Sequence, residues 1–417
     1  MQENQNNYVG MLVVILFSVA SIATGKNVYA LGVCLWLLLI ILSKGKMYLK
    51  VMKFPYFPIF LYGVFISIGV TLSSSIDIRN TLIGMIDISN PILFLSIGGI
   101  ISIISNKDIF FKWVIYAGII IAIFQLYLLF INVPSTDSIN DLRMSMLPTP
   151  DILPLALVLL IYKKMFKINI NTTLSNAAFF IILISFIISF SRTLVLEFLC
   201  YLIMFSINNK FIRKNLVVYF FLLLSISLGY FVLINNTFGD QFIEKIIKTF
   251  TEVSSNNNWN ELLTILSNWR GYEVYSALNQ FNMSDTFTKF FGEGLGSRIY
   301  VGPYAVYVGV NDVSIPYLHN SYYTLLIKLG YIGLSYYILY LLFNFLYYLK
   351  KSYIRNEYLL VIAILAILAI NSKIMQGVVI VGRDAILLTT LGFLTTNKVN
   401  PKNASLVGNK GWRIDDE

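Results

Sequence analysis

The chain has 417 residues, of which 57% are hydrophobic and only 12% are charged. Water-soluble domains carry about 25% charged residues, so this composition excludes an ordinary soluble protein and indicates a protein of the lipid bilayer. Lysine and arginine outnumber aspartate and glutamate by 31 to 21, but most of the basic residues lie in short loops between apolar segments, which argues against a nucleic-acid partner.

Apolar segments long enough to cross a bilayer recur along the chain and predict an all-α, polytopic transmembrane bundle of about twelve spans. Nine of the spans precede residue 235 and three follow residue 320. In chain order they are Tyr8–Thr24, Val28–Leu42, Pro55–Leu72, Thr81–Ser105, Ile109–Ile131, Leu147–Tyr162, Leu174–Phe190, Thr193–Ile207, Leu216–Ile234, Tyr322–Leu349, Tyr358–Ile370 and Ile374–Leu394.

This pattern divides the chain into an N-terminal bundle (1–234), a long polar loop (235–320), a C-terminal group of helices (321–397) and a tail (398–417). The loop contains two helical patterns, an apolar stripe over Phe242–Phe250 and a second pattern over Leu266–Phe281. We expect the first of these helices to lie along the membrane surface.

Clusters of basic residues indicate the orientation, because cytoplasmic loops collect lysine and arginine. With twelve spans all the clusters fall on one side, so both termini are predicted to be cytoplasmic and the long loop extracytoplasmic. The clusters are Lys44, Lys46, Lys50 and Lys53; Lys163, Lys164 and Lys167; Lys210, Arg213 and Lys214; Lys350, Lys351 and Arg355; and Lys398, Lys402, Lys410 and Arg413.

Nothing in the sequence indicates a metal or a cofactor. Cys34 and Cys200 lie far apart in apolar spans, and no HExxH motif, DxD motif or histidine cluster occurs. The run from Gly292 to Gly296 fits neither a P-loop nor a dinucleotide fingerprint and is interpreted as a flexible turn.

His319 is the only histidine, and it lies where the long loop enters the tenth span. An imidazole with its ordinary pKa of about 6.5 can act as a general base near neutral pH. The sequence leaves open the alternative that His319 hydrogen-bonds only to backbone at the helix start, because no partner for it is evident.

Three arginines are candidates for binding a diphosphate, since a guanidinium stays charged and presents a fork of donors. Arg192 ends the seventh span, Arg143 lies in an outer loop and Arg270 lies in the second loop helix. The alternatives are that Arg192 pairs with Glu197 or extends to the membrane surface, and that Arg143 and Arg270 are solvated.

Charged residues inside predicted spans need partners, because an uncompensated charge there costs a few kcal/mol or more. Arg383 and Asp384 are predicted to lie deep in the last helix, with an architectural role favoured, although Arg383 could also face a cavity. Asp87, Asn90 and Pro91 in the fourth span raise the same question.

The run HNSYYTLLIKLGYIGL, from His319 to Leu334, resembles the signature of the O-antigen polymerase and O-antigen ligase family, with Gly330 and Gly333 in the matching glycine pattern. Ser191-Arg192 is similar to the family's Ser-Arg at a helix end, and Arg270 followed by Gly292 to Gly296 is similar to its arginine and glycine-rich stretch. Arg143 fits poorly. Lys328 stands where many relatives have an acid.

The resemblance covers mainly residues 191–334, and it implies a GT-C-like, metal-independent, inverting glycosyltransferase of the bacterial inner membrane. Such enzymes take a glycan from undecaprenyl diphosphate outside the membrane and pass it to an acceptor glycan. The resemblance implies that His319 is the base and that Arg192, Arg270 and Arg143 bind the diphosphate. Asn320, Glu197 and Arg383 are candidates for supporting roles.

The family includes polymerases of the surface polysaccharide and ligases that transfer glycan to lipid A-core, and polymerase is the favoured expectation. Expected partners are the lipid-linked oligosaccharide, the acceptor glycan, membrane lipids and other polysaccharide assembly proteins. A twelve-helix secondary transporter is the alternative from another class of protein. Transporters bind substrate on broken helices near the bilayer midplane, whereas the ionisable residues of this sequence cluster at one membrane face. A non-catalytic member of an assembly complex is the third reading.

Overall fold

A computed structural model describes residues 2–23, 25–45, 53–73, 77–132, 147, 151–189, 191–206, 259, 261–309 and 312–396. Nearly all of the described chain that forms regular structure is helical. The α-helices are α1 Gln2–Ile22, α2 Lys26–Leu42, α3 Phe57–Ser73, α4 Ile78–Ile88, α5 Asn90–Ile104, α6 Lys107–Asn132, α7 Ile152–Ile161, α8 Lys163–Phe166, α9 Thr172–Ile188, α10 Arg192–Ser206, α11 Leu262–Ser267, α12 Trp269–Met283, α13 Thr286–Phe291, α14 Ser321–Ser352, α15 Glu357–Ile374 and α16 Ala385–Thr396.

Four helical segments of the described chain are long and apolar enough to cross a membrane. They are α4 together with α5, then α6, α14 and α15, and shorter apolar helices accompany them. The prediction of a helical membrane bundle is therefore supported. The count of twelve spans stays a prediction, and its ninth span, Leu216–Ile234, lies outside the described residues.

The helices α5 and α16 pack closely against each other. A Cβ atom added to Gly98 of α5 would lie 1.9 Å from the carbonyl oxygen of Thr389, and one added to Gly392 of α16 would lie 2.2 Å from the carbonyl oxygen of Leu95. Small residues let helix backbones approach closely and increase van der Waals contact where lipid removes the hydrophobic driving force.

The long loop contains a short β element in addition to its helices, within a described chain that is otherwise nearly all helical as predicted. It contains a two-stranded antiparallel pair, β1 (Ile299–Tyr300) and β2 (Ser314–Ile315), with a 3₁₀ helix at Pro303–Val308 between them. The predicted helix Leu266–Phe281 is divided at Asn268 into α11 and α12. The predicted stripe Phe242–Phe250 lies outside the described residues.

The described part of the loop has its own apolar cluster. Tyr272, Phe281, Ile299 and Leu318 pack in this cluster with Ile327 of α14. The loop is therefore anchored on the first turns of α14, and this arrangement places the residues before Ser321 at the junction of loop and bundle.

The predicted span Ile374–Leu394 is wrong. Helix α15 extends to Ile374, a 3₁₀ turn follows at Gly377–Val379, and α16 begins only at Ala385. Arg383 and Asp384 therefore lie in the connecting segment rather than deep in a helix. Asp384 has a φ of 51°, a left-handed conformation that ends any helical path through it.

Asn90, at the start of α5, holds this connecting segment in place. Its side-chain nitrogen donates to the carbonyl oxygens of Val378 (3.1 Å) and Arg383 (3.0 Å), and its side-chain oxygen accepts from the backbone N–H of Gly382 (2.8 Å). Asp87 accepts from the N–H of Val381 (3.3 Å) and from the hydroxyl of Tyr317. These contacts explain the polar residues at the break between α4 and α5.

The variant Asn90→Ala is expected to lower the free energy of unfolding by about 2–4 kcal/mol, because it leaves buried backbone groups without partners. Thermal unfolding in detergent measures the change, with Asn282→Ala as the control at an exposed position of α12. Equal unfolding temperatures for the two variants would contradict the role given to Asn90.

Candidate functional site

His319 is held by a buried carboxylate that the sequence analysis did not identify. Its ring nitrogen Nδ1 lies 3.0 Å from both carboxylate oxygens of Glu273, and its backbone N–H donates to Oε2 of Glu273 at 2.9 Å. The side chain of Glu273 is 2% exposed and that of His319 is 39% exposed. The carboxylate is thus fixed inside the protein, while the imidazole reaches the surface.

This arrangement selects the chemistry that the imidazole can perform. When Nδ1 donates its proton to the carboxylate, Nε2 becomes the nitrogen that accepts a proton from elsewhere. A carboxylate in this position also orients the ring and stabilises the imidazolium that forms after proton transfer. The Glu273–His319 pair therefore has the geometry of an imidazole that can accept a proton at Nε2 while the carboxylate holds the ring in position.

Glu273 could have been suspected from its place on α12. It lies beside Tyr272 and one helical turn before Ala277, on the face that packs into the apolar cluster of the loop. A glutamate on such a face is almost never buried without a partner. The apolar neighbours of Glu273 indicate burial, but only the folded loop identifies His319, 46 residues later, as the partner.

Three further contacts fix the turn that carries His319. The side chain of Asn320 caps α14 by accepting from the N–H of Tyr322 at 3.1 Å, and Oγ1 of Thr324 accepts from the N–H of Leu318 at 3.0 Å. The hydroxyl of Ser321 donates to the carbonyl oxygen of Gln376. Asn320 thus has a structural role as the helix cap, and Ser321 ties the turn to the segment between α15 and α16.

Two adjoining cavities are lined by residues that precede or contact this turn, although His319 itself lines neither. One, of about 360 Å³, is lined by residues that include Lys26, Asn27, Gln376 and Arg383. The other, of about 300 Å³, is lined by residues that include Asp87, Arg298, Tyr317 and Lys328. Gly25, Lys26, Ile380 and Val381 line both cavities, so we treat the two as one cleft, called the basic cleft below.

Lys328 joins α14 to the glycine-rich loop that lines the basic cleft. Its ammonium group is buried and donates to the carbonyl oxygens of Leu295 (2.6 Å) and Ser297 (2.8 Å). It also lies 5.2 Å from the ring centre of Tyr317. A lysine at this position, where the family resemblance implies an acid, therefore has a clear structural function.

The glycine-rich run is not the flexible turn that the sequence predicted. The N–H groups of Glu293 and Gly294 donate to the carbonyl oxygens of Ile327 (2.9 Å) and Lys328 (3.0 Å), and the N–H of Leu295 donates to the hydroxyl of Ser67 (2.8 Å). Burial raises the pKa of Glu293 above its ordinary value, although the hydrogen bonds that Glu293 accepts from Gln280 and Ser284 act in the opposite direction. The run is a fixed wall of the cleft.

The predicted arginines have different places in the fold. Arg270 lies half-buried on α12, one turn before Glu273, and Arg192 lies half-buried at the start of α10. Arg383 lines the basic cleft. Arg143 lies outside the described residues. Arg298, which the sequence analysis did not single out, also lines the cleft and pairs with Asp312 at 2.7 Å.

Glu197 belongs to a buried polar network with Asn371 and Asp384. Nδ2 of Asn371 donates to Glu197 (3.0 Å) and to Asp384 (2.9 Å), which joins α10, α15 and the segment before α16. This network supports the architectural interpretation of Asp384. It also shows that Glu197 connects helices rather than lining the cleft.

Within the residues that the structure describes, no group of three or more histidine, cysteine, aspartate and glutamate side chains is arranged to hold a metal ion. Comparison with protein-family models and with curated proteins gives no match for this chain.

Proposed function

We propose that this chain is a glycosyltransferase of the O-antigen polymerase type, which transfers an undecaprenyl-diphosphate-linked glycan to a hydroxyl group of an acceptor sugar. In this proposal it is a GT-C-like protein of the bacterial inner membrane, with twelve spans, cytoplasmic termini and an extracytoplasmic site. The observation that carries the proposal is the Glu273–His319 pair, an oriented and half-exposed base where the loop meets the bundle.

The proposed reaction is a single displacement that needs no metal. Nε2 of His319 removes the proton of the acceptor hydroxyl as its oxygen attacks the anomeric carbon. The bond between that carbon and the diphosphate oxygen breaks, so the configuration inverts and undecaprenyl diphosphate leaves. Arg192 and Arg270, with Arg143 from the sequence pattern, offset the negative charge that grows on the diphosphate.

The geometry of the charged groups favours transfer over transport. Asp87 accepts hydrogen bonds from Val381 and Tyr317, and the backbone of Arg383 is held by Asn90. The hydrogen bonds of Asp87 therefore explain its presence by structure alone. A half-exposed histidine held by a buried glutamate is instead suited to accept a proton from a substrate. The position of this pair at the loop also suits a substrate whose lipid tail stays in the bilayer.

The test is reconstitution in proteoliposomes with a labelled undecaprenyl diphosphate oligosaccharide of one repeat unit. We expect the wild-type protein to form lipid-linked products of two or more units. Arg192→Ala and Arg270→Ala should each lower kcat/KM by about 10²-fold, because each removes a donor to the leaving group. Arg79→Ala, at an exposed position of α4, is the matched control.

The products separate this proposal from its alternatives. Glycan found on added lipid A-core, with no lengthening on the carrier, would replace the polymerase proposal with a ligase. Passage of an unaltered solute across the bilayer, without any glycan transfer, would favour a transporter and overturn the proposal.

A further inference from the structure

The 360 Å³ cavity of the basic cleft contains two cations that no residue of the described chain neutralises by direct contact. Arg383 lines this cavity, and its guanidinium donates no hydrogen bond to any described residue; its Nη1 is buried without a partner. Lys26 lines the same cavity, is exposed and forms no ion pair within the described part of the chain. A guanidinium with unused donors at a cavity is suited to an oxyanion.

The other two cations of the cleft differ in this respect. Arg298 pairs with Asp312 and donates to Ser314, and Lys328 donates to two carbonyl oxygens. Their hydrogen-bonding capacity is taken up largely by the protein. The unused capacity is therefore concentrated at Lys26 and Arg383.

Among the described residues, the acidic side chains near the cavity do not accept hydrogen bonds from Lys26 or Arg383. Asp87 accepts hydrogen bonds from Tyr317 and Val381. Asp384 accepts from Asn371 through Oδ1, and its Oδ2 is buried without forming a hydrogen bond to Arg383. Asp151 and Asp384 lie close enough to Arg383 to interact with its charge, but no ion pair joins either of them to Arg383 in the described residues. Asp151 and Asp384 therefore reduce the net positive charge near Arg383 without accepting a hydrogen bond from its guanidinium.

The N-terminus of α2 adds partial positive charge at the same place. Gly25 precedes this helix of 17 residues and provides no side-chain cap, and it also lines the cavity. Unsatisfied N–H groups and the helix dipole favour a negative group near such an end. The helix dipole therefore adds to the positive charge that Lys26 and Arg383 supply at this cavity.

We infer that the Lys26–Arg383 cavity is an anion subsite that binds a phosphate or carboxylate group of the ligand, separate from the diphosphate site assigned to Arg192 and Arg270. Its volume falls within the range of about 300–1,000 Å³ that is common for ligand pockets. Ser321 links it through Gln376 to the turn that carries His319. The use of this subsite in glycan transfer rests on the proposed function, but the binding of an anion does not.

Two sources could supply such a group: the diphosphate of a second carrier lipid, or an acidic sugar of the glycan. Binding of inorganic pyrophosphate and of glucuronate to the full-length protein in detergent, measured by calorimetry at low salt, distinguishes them. Wild type, Lys26→Gln and Arg383→Gln are compared with Lys373→Gln, which alters an exposed lysine that does not line the cleft.

We expect Lys26→Gln to weaken binding of the preferred anion about two- to fivefold, as for an exposed charge. Arg383→Gln should weaken it about tenfold to a hundredfold, as for a lost hydrogen bond to a charged group. Lys26→Gln also serves as the variant least able to disturb folding. A preference for pyrophosphate would support the carrier as the source, and a preference for glucuronate would support an acidic sugar.

The inference is overturned if neither anion binds, or if Lys26→Gln and Arg383→Gln bind the anions as tightly as Lys373→Gln. Its failure can be separated from that of the proposed function. Glycan transfer without cation-dependent anion binding would reject the subsite alone, while anion binding that depends on Lys26 and Arg383 without any transfer would reject the proposed function alone.

Discussion

The variant His319→Ala is expected to lower kcat for glycan transfer by about 10²- to 10⁴-fold, the usual contribution of a general base. Glu273→Gln should lower kcat by about 10- to 100-fold, because the amide keeps the shape of the side chain but loses the charge that stabilises the imidazolium. The measurement is the initial rate of glycan lengthening in proteoliposomes at saturating lipid-linked donor.

A purely structural role for the pair would give a different result. We expect the KM for the donor to stay close to the wild-type value in both variants, and the unfolding temperature to stay close to it in Glu273→Gln, whose amide keeps the shape of the buried side chain. Added imidazole should restore part of the activity of His319→Ala and none of the activity of Arg192→Ala. Glu261→Gln, at an exposed position before α11, should behave as wild type.

Two outcomes would reject the assigned chemistry. One is full activity of His319→Ala. The other is a loss of activity in Glu273→Gln that is matched by a lower unfolding temperature and by equal losses for every substrate, since this pattern would indicate that Glu273 serves only to hold the loop on the bundle.

Hydropathy was sufficient to predict most of the helices, because each apolar segment carries its own signal. The predicted span Leu174–Phe190 corresponds to α9, Thr172–Ile188, and the predicted span Ile109–Ile131 corresponds to α6, Lys107–Asn132. The same criterion failed at residues 374–394. There the apolar residues around Gly377 and Gly382 resemble a continuous span, although Asn90 holds the segment in a non-helical path.

The candidate site was predictable in part. His319 and Arg270 were identified from residue type and position, but Glu273, Lys26 and Arg298 were not. Their roles depend on contacts between distant parts of the chain, such as the bond between Glu273 and His319 or the cavity shared by Lys26 and Arg383. No local pattern of charge or hydropathy encodes these pairings.

Gly330 is the residue of α14 at which substitution should have the largest effect on folding. It has φ 64° and ψ −167°, so it interrupts the helix in a conformation that is accessible essentially only to glycine. This interruption leaves the carbonyl oxygens of Ile327 and Lys328 free to accept from Glu293 and Gly294. The kink in α14 therefore creates the acceptors that fix the glycine-rich loop.

The variant Gly330→Ala is expected to lower the free energy of unfolding by about 3 kcal/mol or more. The added Cβ would lie 2.3 Å from the carbonyl oxygen of Phe290 and 2.6 Å from the backbone nitrogen of Gly292, and the backbone strain adds about 1–3 kcal/mol. Thermal unfolding in detergent measures the change. Gly69→Ala is the matched control, because a Cβ at that helical position meets nothing within 4 Å.

The position of Gly330 connects this stability effect to the site. Displacement of the Gly292–Ser297 wall would also remove the acceptors of Lys328 and change the shape of the basic cleft. We therefore expect Gly330→Ala to lose stability, while Gly69→Ala keeps it, since alanine is the better helix former. An unfolding temperature of Gly330→Ala equal to that of Gly69→Ala would contradict the kinked conformation of α14 and, with it, the wall on which the cleft depends.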